Sequence, residues 1–255
     1  MINPRLLKKA NEWKNPEVPS DNHRTTIIPP TNFNSPLTLP DIVQRAPRNY
    51  IKIPQLNEVI AVNETHKGKD LYDTLDAVAD EGLFVPYVSS FMRHWMNVKE
   101  VVVDGKGKLF YADGSLVQED ITEDLWKYLS SGHRGGCWTW LDALFTKEGK
   151  EWHLTTDLKT VRQGKNKTLQ GNKQILESCL REDCYVDLSF NSQGLAVRES
   201  PNQNYSQGEN IYLYHPRENC VAGFNADSDW ADLCCYRLPS GRYGGLGVFA
   251  VVRHK

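Results

Sequence analysis

The C-terminal part of the chain, residues 223–255, holds the side chains whose types and spacing suggest chemistry. Asn, Asp, Ser, Gly, Tyr, Cys and Arg stand side by side there without helix or strand periodicity. A core or a solvated loop is not normally composed in this way. Trp, Tyr and Arg carry much of the binding energy at interfaces, so we expect this segment to bind a ligand. The side chains expected to contact it are Trp230, Tyr236, Arg237, Arg242 and Tyr243.

Two stretches of this segment carry a resemblance to a known family. Residues 226–235 read ADSDWADLCC, residues 246–253 read LGVFAVVR, and Pro239 lies between them. This order resembles the variable proteins of diversity-generating retroelements, in particular the archaeal and viral branch, whose C-terminus carries ADSD-x-A-x-L-x-C, a proline and a terminal LGV-type strand. The resemblance is close only over these last residues, with looser similarity in residues 184–191 and 208–215.

The resemblance implies a display protein with a C-type-lectin fold and a hypervariable surface. In that family an error-prone reverse transcriptase replaces adenines in a template copy, so an Asn codon can become Ser, Gly, Asp, Tyr, Cys, His or Arg but never a stop. It implies binding of varied targets, with no catalytic residue, cofactor or metal. The variable region would be residues 223–244, with ligand-binding positions at Gly223, Asn225, Trp230, Asp232, Cys234, Tyr236, Arg237, Leu238, Ser240, Arg242, Tyr243 and Gly244.

A rival chemistry is nucleophilic catalysis by Cys137. Residues 135–140 read GGCWTW and resemble the C-G-S-C-W motif of papain-like peptidases, where the cysteine heads a helix that lowers its pKa. The match is partial, because Ser131 stands where those enzymes place an oxyanion-hole Gln and the downstream histidines lack the expected context. A papain-like cysteine hydrolase is therefore the alternative function, and a small buried side chain beside two tryptophans is the structural alternative.

Two further features of the segment have a structural and a functional interpretation. Asp227, Asp229 and Asp232 offer oxygen ligands of the kind that calcium takes, but they lack EF-hand spacing, and a turn held by side-chain hydrogen bonds is the other interpretation. On a strand, the adjacent Cys234 and Cys235 point to opposite faces, so one is expected in the core and the other at the surface. The family pattern makes Cys235 the fixed and Cys234 the varied residue.

Composition narrows the classes of partner. The 255 residues hold 30 basic and 32 acidic side chains, and the net charge of −2 gives no excess of positive charge for phosphates or anionic lipid. Residues 1–25 contain no apolar stretch of the kind found in signal peptides, and no apolar run is long enough to span a membrane. We therefore expect cytoplasmic synthesis, no nucleic-acid partner and no membrane insertion, with an unidentified protein or cell-surface ligand as the target.

The elements that must position the segment divide into an arm and a domain. Nine prolines in the first 55 residues predict an extended N-terminal arm over residues 1–55 with one short helix near residues 6–13. Such an arm lies over its own domain or reaches another subunit or a particle, and we expect the second. We expect residues 56–255 to form the lectin-like domain. Because the arm is expected to reach beyond this domain, virion attachment or self-association through the arm is a further expectation.

Hydrophobic spacing predicts helices first and short strands afterwards. Helices are expected over residues 70–79, 86–98 and 119–129, a hairpin around Asp113-Gly114, and a later helix over residues 173–180. Strands are expected over residues 138–145, 152–155, 185–190, 195–198, 211–214, 221–224, 232–236 and 246–253. This order predicts an α+β fold with an antiparallel sheet, in agreement with a C-type-lectin-like domain.

Overall fold

Within residues 37–227 and 230–253, the part of the chain that this computed structural model describes, the protein forms four α-helices and ten β-strands. The helices are α1 (Asp41–Arg45), α2 (Leu71–Asp80), α3 (Val88–Val102) and α4 (Glu119–Ser131). The strands are β1 (Tyr50–Ile53), β2 (Glu58–Ala61), β3 (Cys137–Glu148), β4 (Glu151–Gln163), β5 (Asn166–Ile175), β6 (Cys184–Asp187), β7 (Asn210–Tyr214), β8 (Cys220–Asp227), β9 (Trp230–Arg237) and β10 (Val251–Val252).

Helices α2, α3 and α4 lie where the hydrophobic spacing predicted them. Helix α2 begins after Asp70, whose side chain accepts a hydrogen bond from the Asp73 backbone N–H at 2.9 Å and so caps the first turn. Helix α4 ends at Gly132, which adopts the left-handed conformation that glycine tolerates at a helix end. The apolar faces are buried as expected, with Leu71, Leu75, Val78, Phe91, Trp95, Val98, Leu125, Trp126 and Leu129 in the core.

Seven of the strands form one mixed sheet in the order β5-β4-β3-β8-β9-β7-β6. Every neighbouring pair is antiparallel except β7 and β9, which run parallel. The prediction of an α+β fold is therefore confirmed, and the prediction of a purely antiparallel sheet is wrong. Of the two strands in the β8–β9 hairpin, β9 is the one that pairs with β7, and it runs in the same direction as β7.

A second sheet of three strands, in the order β1-β2-β10, joins the two ends of the described chain. The predicted arm of residues 1–55 is described only from residue 37, and there it contains α1 and β1 rather than extended chain, because the apolar residues of β1 are buried against β2. The predicted helix near residues 6–13 lies outside the described residues. Of the predicted strand over residues 246–253, only Val251–Val252 is regular, since the segment crosses between the two sheets through single bridges to Thr139, Thr65 and Phe84.

The predicted helix over residues 173–180 is wrong. Strand β5 continues to Ile175, and Lys173 pairs with Thr155 across the β4–β5 hairpin. The apolar spacing in this stretch does not mark a buried helix face, because Ile175 is exposed. The predicted strand over residues 195–198 is likewise not regular, although Ala196 and Glu199 form isolated bridges. The hairpin at Asp113-Gly114 is confirmed, with Tyr111 donating its N–H to the Ser115 carbonyl at 2.9 Å.

The large sheet packs against a hydrophobic core on each of its faces, but one of the two cores covers only part of its face. On one face, α3 and α4 pack against inward side chains such as Phe224, and Phe91 approaches the Phe224 ring to 4.9 Å. On the other face, α2 and residues 246–252 cover Trp140 and Val221. This second cover does not include the outward side chains of β6 and β7. One end of that face is therefore left partly exposed.

Arg253, the last described residue, is held inside the domain. The buried Arg253 guanidinium donates to the Val85 carbonyl at 2.9 Å and to carboxylate oxygens of Asp142 and Asp157, each at 2.8 Å. The Tyr87 ring lies below it, 3.6 Å from the guanidinium carbon to the ring centre. Burial raises the pKa of Asp142, and the charge of Arg253 opposes that shift. In the described residues, no helix is long and apolar enough to cross a membrane.

Candidate functional site

The uncovered end of the sheet carries a continuous row of aromatic side chains, which we call the aromatic face: Tyr185, Tyr212, Tyr214, Trp230 and Tyr236. Tyr212 stands 4.9 Å from Tyr185 and 4.8 Å from Tyr214, centre to centre, and Tyr214 stands 5.0 Å from Tyr236. The ring planes meet at 64° to 81°, the edge-to-face geometry that aromatic pairs favour. These contacts hold the rings in place before any ligand arrives.

Strand alternation explains why these rings share one face. Ile211 and Leu213 of β7 point into the helical core, so Tyr212 and Tyr214 must point the other way. On β9, Ala231, Leu233 and Cys235 are likewise core residues, which places the even-numbered side chains beside the β7 tyrosines. Because β7 and β9 are parallel neighbours, two rows of outward side chains meet along the whole length of their pairing.

Beneath and beside the rings lies a buried polar triad of Asn225, Asp232 and Arg237. The Asn225 amide donates to Asp232 Oδ1 at 2.9 Å, and its carbonyl oxygen accepts a hydrogen bond from Arg237 Nη2. Burial raises the pKa of Asp232 to about 7, although the Asn225 hydrogen bond and the Arg237 charge both oppose that rise. Near neutral pH, Asp232 therefore exchanges between its neutral and ionised forms.

Two local features allow Arg237 to reach the triad. A register shift between Val221 and Gly223 displaces the end of β9, so that consecutive residues Tyr236 and Arg237 both reach the same face. A Cβ at position 223 would lie 2.8 Å from Arg237 Nε, so only glycine leaves room for the guanidinium. The guanidinium then lies over the Trp138 and Tyr243 rings, at 5.6 Å and 5.5 Å from their centres.

A cavity of about 220 Å³ opens in the aromatic face. Tyr185, Tyr212 and Tyr214 form its tyrosine walls, Trp230 forms another wall, and Asp232 contributes the one carboxylate. Asp232 lies directly opposite Tyr212 in the β7–β9 register. The cavity is thus lined by four aromatic side chains and one carboxylate.

Residues 238–245, which we call the rim, border the aromatic face. Leu238 is 63% and Tyr243 51% exposed, and Ser240 and Gly244 are also open to solvent. Arg242 is held against the start of α2, where its guanidinium donates to Asp70 at 3.1 Å and to Asp73 at 2.6 Å. The Leu71 backbone N–H also donates to the Pro239 carbonyl at 2.9 Å, so the rim is anchored to the start of α2 at two points while most of its side chains remain exposed.

The structure divides the predicted ligand-binding positions into two groups. Trp230, Tyr236, Leu238, Ser240, Arg242, Tyr243 and Gly244 are exposed. Gly223, Asn225, Asp232, Cys234 and Arg237 are buried, and they support the exposed group from below. The predicted set of ligand-binding positions therefore mixes side chains that face solvent with side chains that are buried beneath them.

The two adjacent cysteines point to opposite faces, as predicted, but neither is exposed. Cys235 is wholly buried in the helical core. Cys234 lies on the aromatic side and is only 2% exposed, because β9 is an inner strand and its neighbours shield the thiol. Burial raises the pKa of Cys234 to about 11. All six cysteines of the chain are free thiols.

The calcium interpretation gains no geometric support. Asp229 lies outside the described residues, and the Asp232 carboxylate is engaged by Asn225. Among the residues that the structure describes, no three His, Cys, Asp or Glu side chains are grouped so that they could hold a metal ion.

Cys137 lies in an environment that disfavours a thiolate. It begins β3 rather than a helix, it is wholly buried, and its sulfur is 3.9 Å from Glu64 Oε1. Burial, and next the charge of Glu64, raise its pKa well above the ordinary value. Glu64 itself is buried, which raises its pKa to about 7 while Tyr128 donates a hydrogen bond to it. A nucleophilic cysteine needs a lowered pKa and access, and this site provides neither.

Sequence reasoning missed Tyr185, Tyr212, Tyr214 and Trp138. The alternation Ile-Tyr-Leu-Tyr over residues 211–214 is the signal that could have identified the β7 pair as outward-facing. The pairing of β7 with β9 has no such signal, because it depends on where a distant hairpin docks. No family model, curated protein or solved structure shows significant similarity to the chain.

Proposed function

We propose that the protein is a ligand-binding display protein whose ligand surface consists of the aromatic face and the rim. The observation that carries this proposal is the uncovered sheet end, where Trp230, Tyr236 and Tyr243 are each more than a third exposed and lie around a buried polar triad. Isolated exposed aromatics are ordinary on protein surfaces, whereas a contiguous row beside a cavity supports the proposal of a binding site.

The energetics of the surface suit recognition. Tyr and Trp bury large areas at a low cost in conformational entropy, and here edge-to-face contacts already fix several of the rings. A pre-organised surface loses less freedom on binding, so more of the contact energy appears as affinity. The proposed activity is binding alone, and no chemical step is assigned to the site.

We further propose that the domain is C-type-lectin-like and that its exposed positions are diversified by a retroelement. The resemblance of residues 226–235 and 246–253 to the family motif supports this assignment. The irregular chain between β9 and β10 supports it as well, since it presents the rim without contributing regular structure. The target is a protein or a cell-surface ligand, and a virion surface is the proposed location.

The experiment that tests diversification is to sequence the DNA around the 3′ end of the gene. The expected result is a near-copy of the segment coding for residues 223–244, differing only at adenines, beside a reverse transcriptase gene. The structure adds a positional requirement, since the differing codons should fall mainly on the exposed positions: Trp230, Tyr236, Leu238, Ser240, Arg242 and Tyr243.

Two results would contradict the proposal in different ways. Absence of a near-copy would reject diversification while leaving the ligand surface to be tested by binding. A near-copy whose differences fell on core positions such as Phe224, Leu233 or Cys235 would reject the assignment of the surface, because those side chains are wholly buried.

A further inference from the structure

We propose that the cavity in the aromatic face binds an alkylated ammonium group, such as a trimethylammonium head or a methylated lysine side chain. This inference rests on the proposed ligand surface and specifies the chemical class that the surface recognises in this chain. It follows from the arrangement of Tyr185, Tyr212, Tyr214 and Trp230 around the Asp232 carboxylate.

The aromatic rings that line the cavity stand at steep angles to one another. Tyr185 and Tyr212 meet at 81°, and Tyr212 and Tyr214 meet at 64°, so neighbouring rings form corners rather than a flat stack. The face of an aromatic ring carries negative potential, and several faces converging on one volume attract a cation that water hydrates weakly. Alkylated ammonium groups are the cations of that kind.

The charge of the cavity favours a cation over an anion. Asp232 is the one carboxylate that lines it, and an anion would meet both that carboxylate and the negative ring faces. Arg237, the cation of the triad, does not line the cavity. Its guanidinium donates to Asn225 and lies over the Trp138 and Tyr243 rings. Asp232 is therefore shared between the triad and the cavity.

The size of the cavity favours a head group over a whole ligand. Its volume of about 220 Å³ is below the roughly 300–1,000 Å³ of pockets that enclose drug-sized molecules. A compact trimethylammonium group fits such a volume, with the remainder of the ligand lying along the exposed rim. An unmethylated ammonium is a poorer occupant, because its strong hydration must be lost against apolar walls.

The probe for this site is tetramethylammonium chloride, titrated into the full-length protein against sodium chloride at constant ionic strength. Seven indole N–H signals report the seven tryptophans, and the Trp230→Ala variant identifies the signal at the cavity. We expect that signal to shift saturably with tetramethylammonium. Choline, titrated in the same way, has the uncharged isostere 3,3-dimethylbutanol, which should bind at least about tenfold more weakly than choline because it lacks the charge that the rings and Asp232 attract.

Variants separate the two contributions. At about pH 8, where Asp232 is mostly ionised, Asp232→Asn should weaken tetramethylammonium binding by about tenfold. The control is Phe110→Ala, which removes an exposed ring at the Asp113-Gly114 hairpin, away from the cavity, and should bind as the wild-type protein does. Trp230 is itself 48% exposed, so its loss should weaken binding without unfolding the domain.

Three outcomes would overturn the proposal: no saturable shift at the cavity, equal binding of the uncharged isostere, or unchanged binding in Asp232→Asn. Each of these rejects the ammonium specificity alone, because a surface that binds another ligand class would still pass the gene-sequencing test and would still lose its target in a Trp230→Ala variant. Rejection of the ligand surface itself would require that the target bind equally well after Trp230 and Tyr236 are both removed.

Discussion

The most informative perturbation of the site is Arg237→Ala, because it removes the one cation of the buried triad. The guanidinium donates to the Asn225 carbonyl oxygen, stabilises the ionised form of Asp232, and covers the Trp138 and Tyr243 rings. The substitution leaves an acceptor without its donor and a buried carboxylate without its compensating charge. We expect its effect on stability to depend on pH.

The magnitude follows from the pKa of Asp232, which burial raises to about 7. When a carboxyl group has a higher pKa in the folded than in the unfolded state, the protein loses stability as pH rises from the unfolded-state pKa to the folded-state pKa. Above the folded-state pKa this group causes no further loss. At about pH 5.5, Asp232 is mostly neutral with or without Arg237, so the variant loses only the hydrogen bond and ring contacts, about 2 kcal/mol. Without Arg237 the pKa rises further, and stability continues to fall above pH 7 by about 1.4 kcal/mol per pH unit.

The loss should therefore be larger at about pH 8.5 than at about pH 5.5, by up to about 2 kcal/mol. The assay is urea unfolding of the wild-type and variant proteins at both pH values, with the free energies of unfolding compared. The matched control is the same substitution in an Asp232→Asn background, where the pH-dependent part should vanish and the part of about 2 kcal/mol should remain. A loss that is equal at both pH values, or a pH-dependent part that persists in the control, would refute the role assigned to the Asp232–Arg237 coupling.

Three further substitutions test the division between surface and scaffold. Leu238→Ser on the rim should change the free energy of unfolding by less than about 0.5 kcal/mol, and a larger loss in urea unfolding would show that the rim packs into the core. Val251→Asp should abolish the cooperative thermal transition, because it places an unpaired charge in the core, and a retained transition would contradict the burial of β10. Arg253→Ala should cost roughly 3–5 kcal/mol in urea unfolding by leaving Asp142 and Asp157 unpaired, and a loss below about 1 kcal/mol would show that this ion pair does not fix the chain end.

The helices could be predicted from the sequence because their signals are local. The spacing of Leu71, Leu75 and Val78 marks one buried face, and Asp70 supplies the cap, so α2 needs no distant information. The parallel pairing of β7 and β9 could not be predicted in this way, since it joins residues whose order is set by the docking of the β8–β9 hairpin. The helix predicted over residues 173–180 failed for the same reason, because pairing with β4 outweighed a weak local preference.

The candidate site was predicted as a region rather than as a set of side chains. Residue types alone suggested that residues 223–244 are unlike a core, and the exposed rings of Trp230, Tyr236 and Tyr243 do lie there, but so do core residues such as Phe224 and Leu233. The burial of Cys234 could not be predicted, because it depends on β9 having a neighbour on each side. The tyrosines of β6 and β7 are distant in sequence and enter the site only through strand pairing.

The alternation within β9 limits which positions of the surface can vary freely. Within this one strand, Leu233 and Cys235 face the helical core. Asp232 and Arg237 belong to the triad, and Tyr236 faces solvent. A substitution at Tyr236 changes the ligand surface alone, whereas one at Arg237 also removes the charge that Asp232 requires. Since Gly223 leaves the space that Arg237 fills, positions 223, 232 and 237 must change together or not at all. If the surface is diversified as proposed, the differing positions should therefore spare the triad and concentrate on the rings and the rim above it.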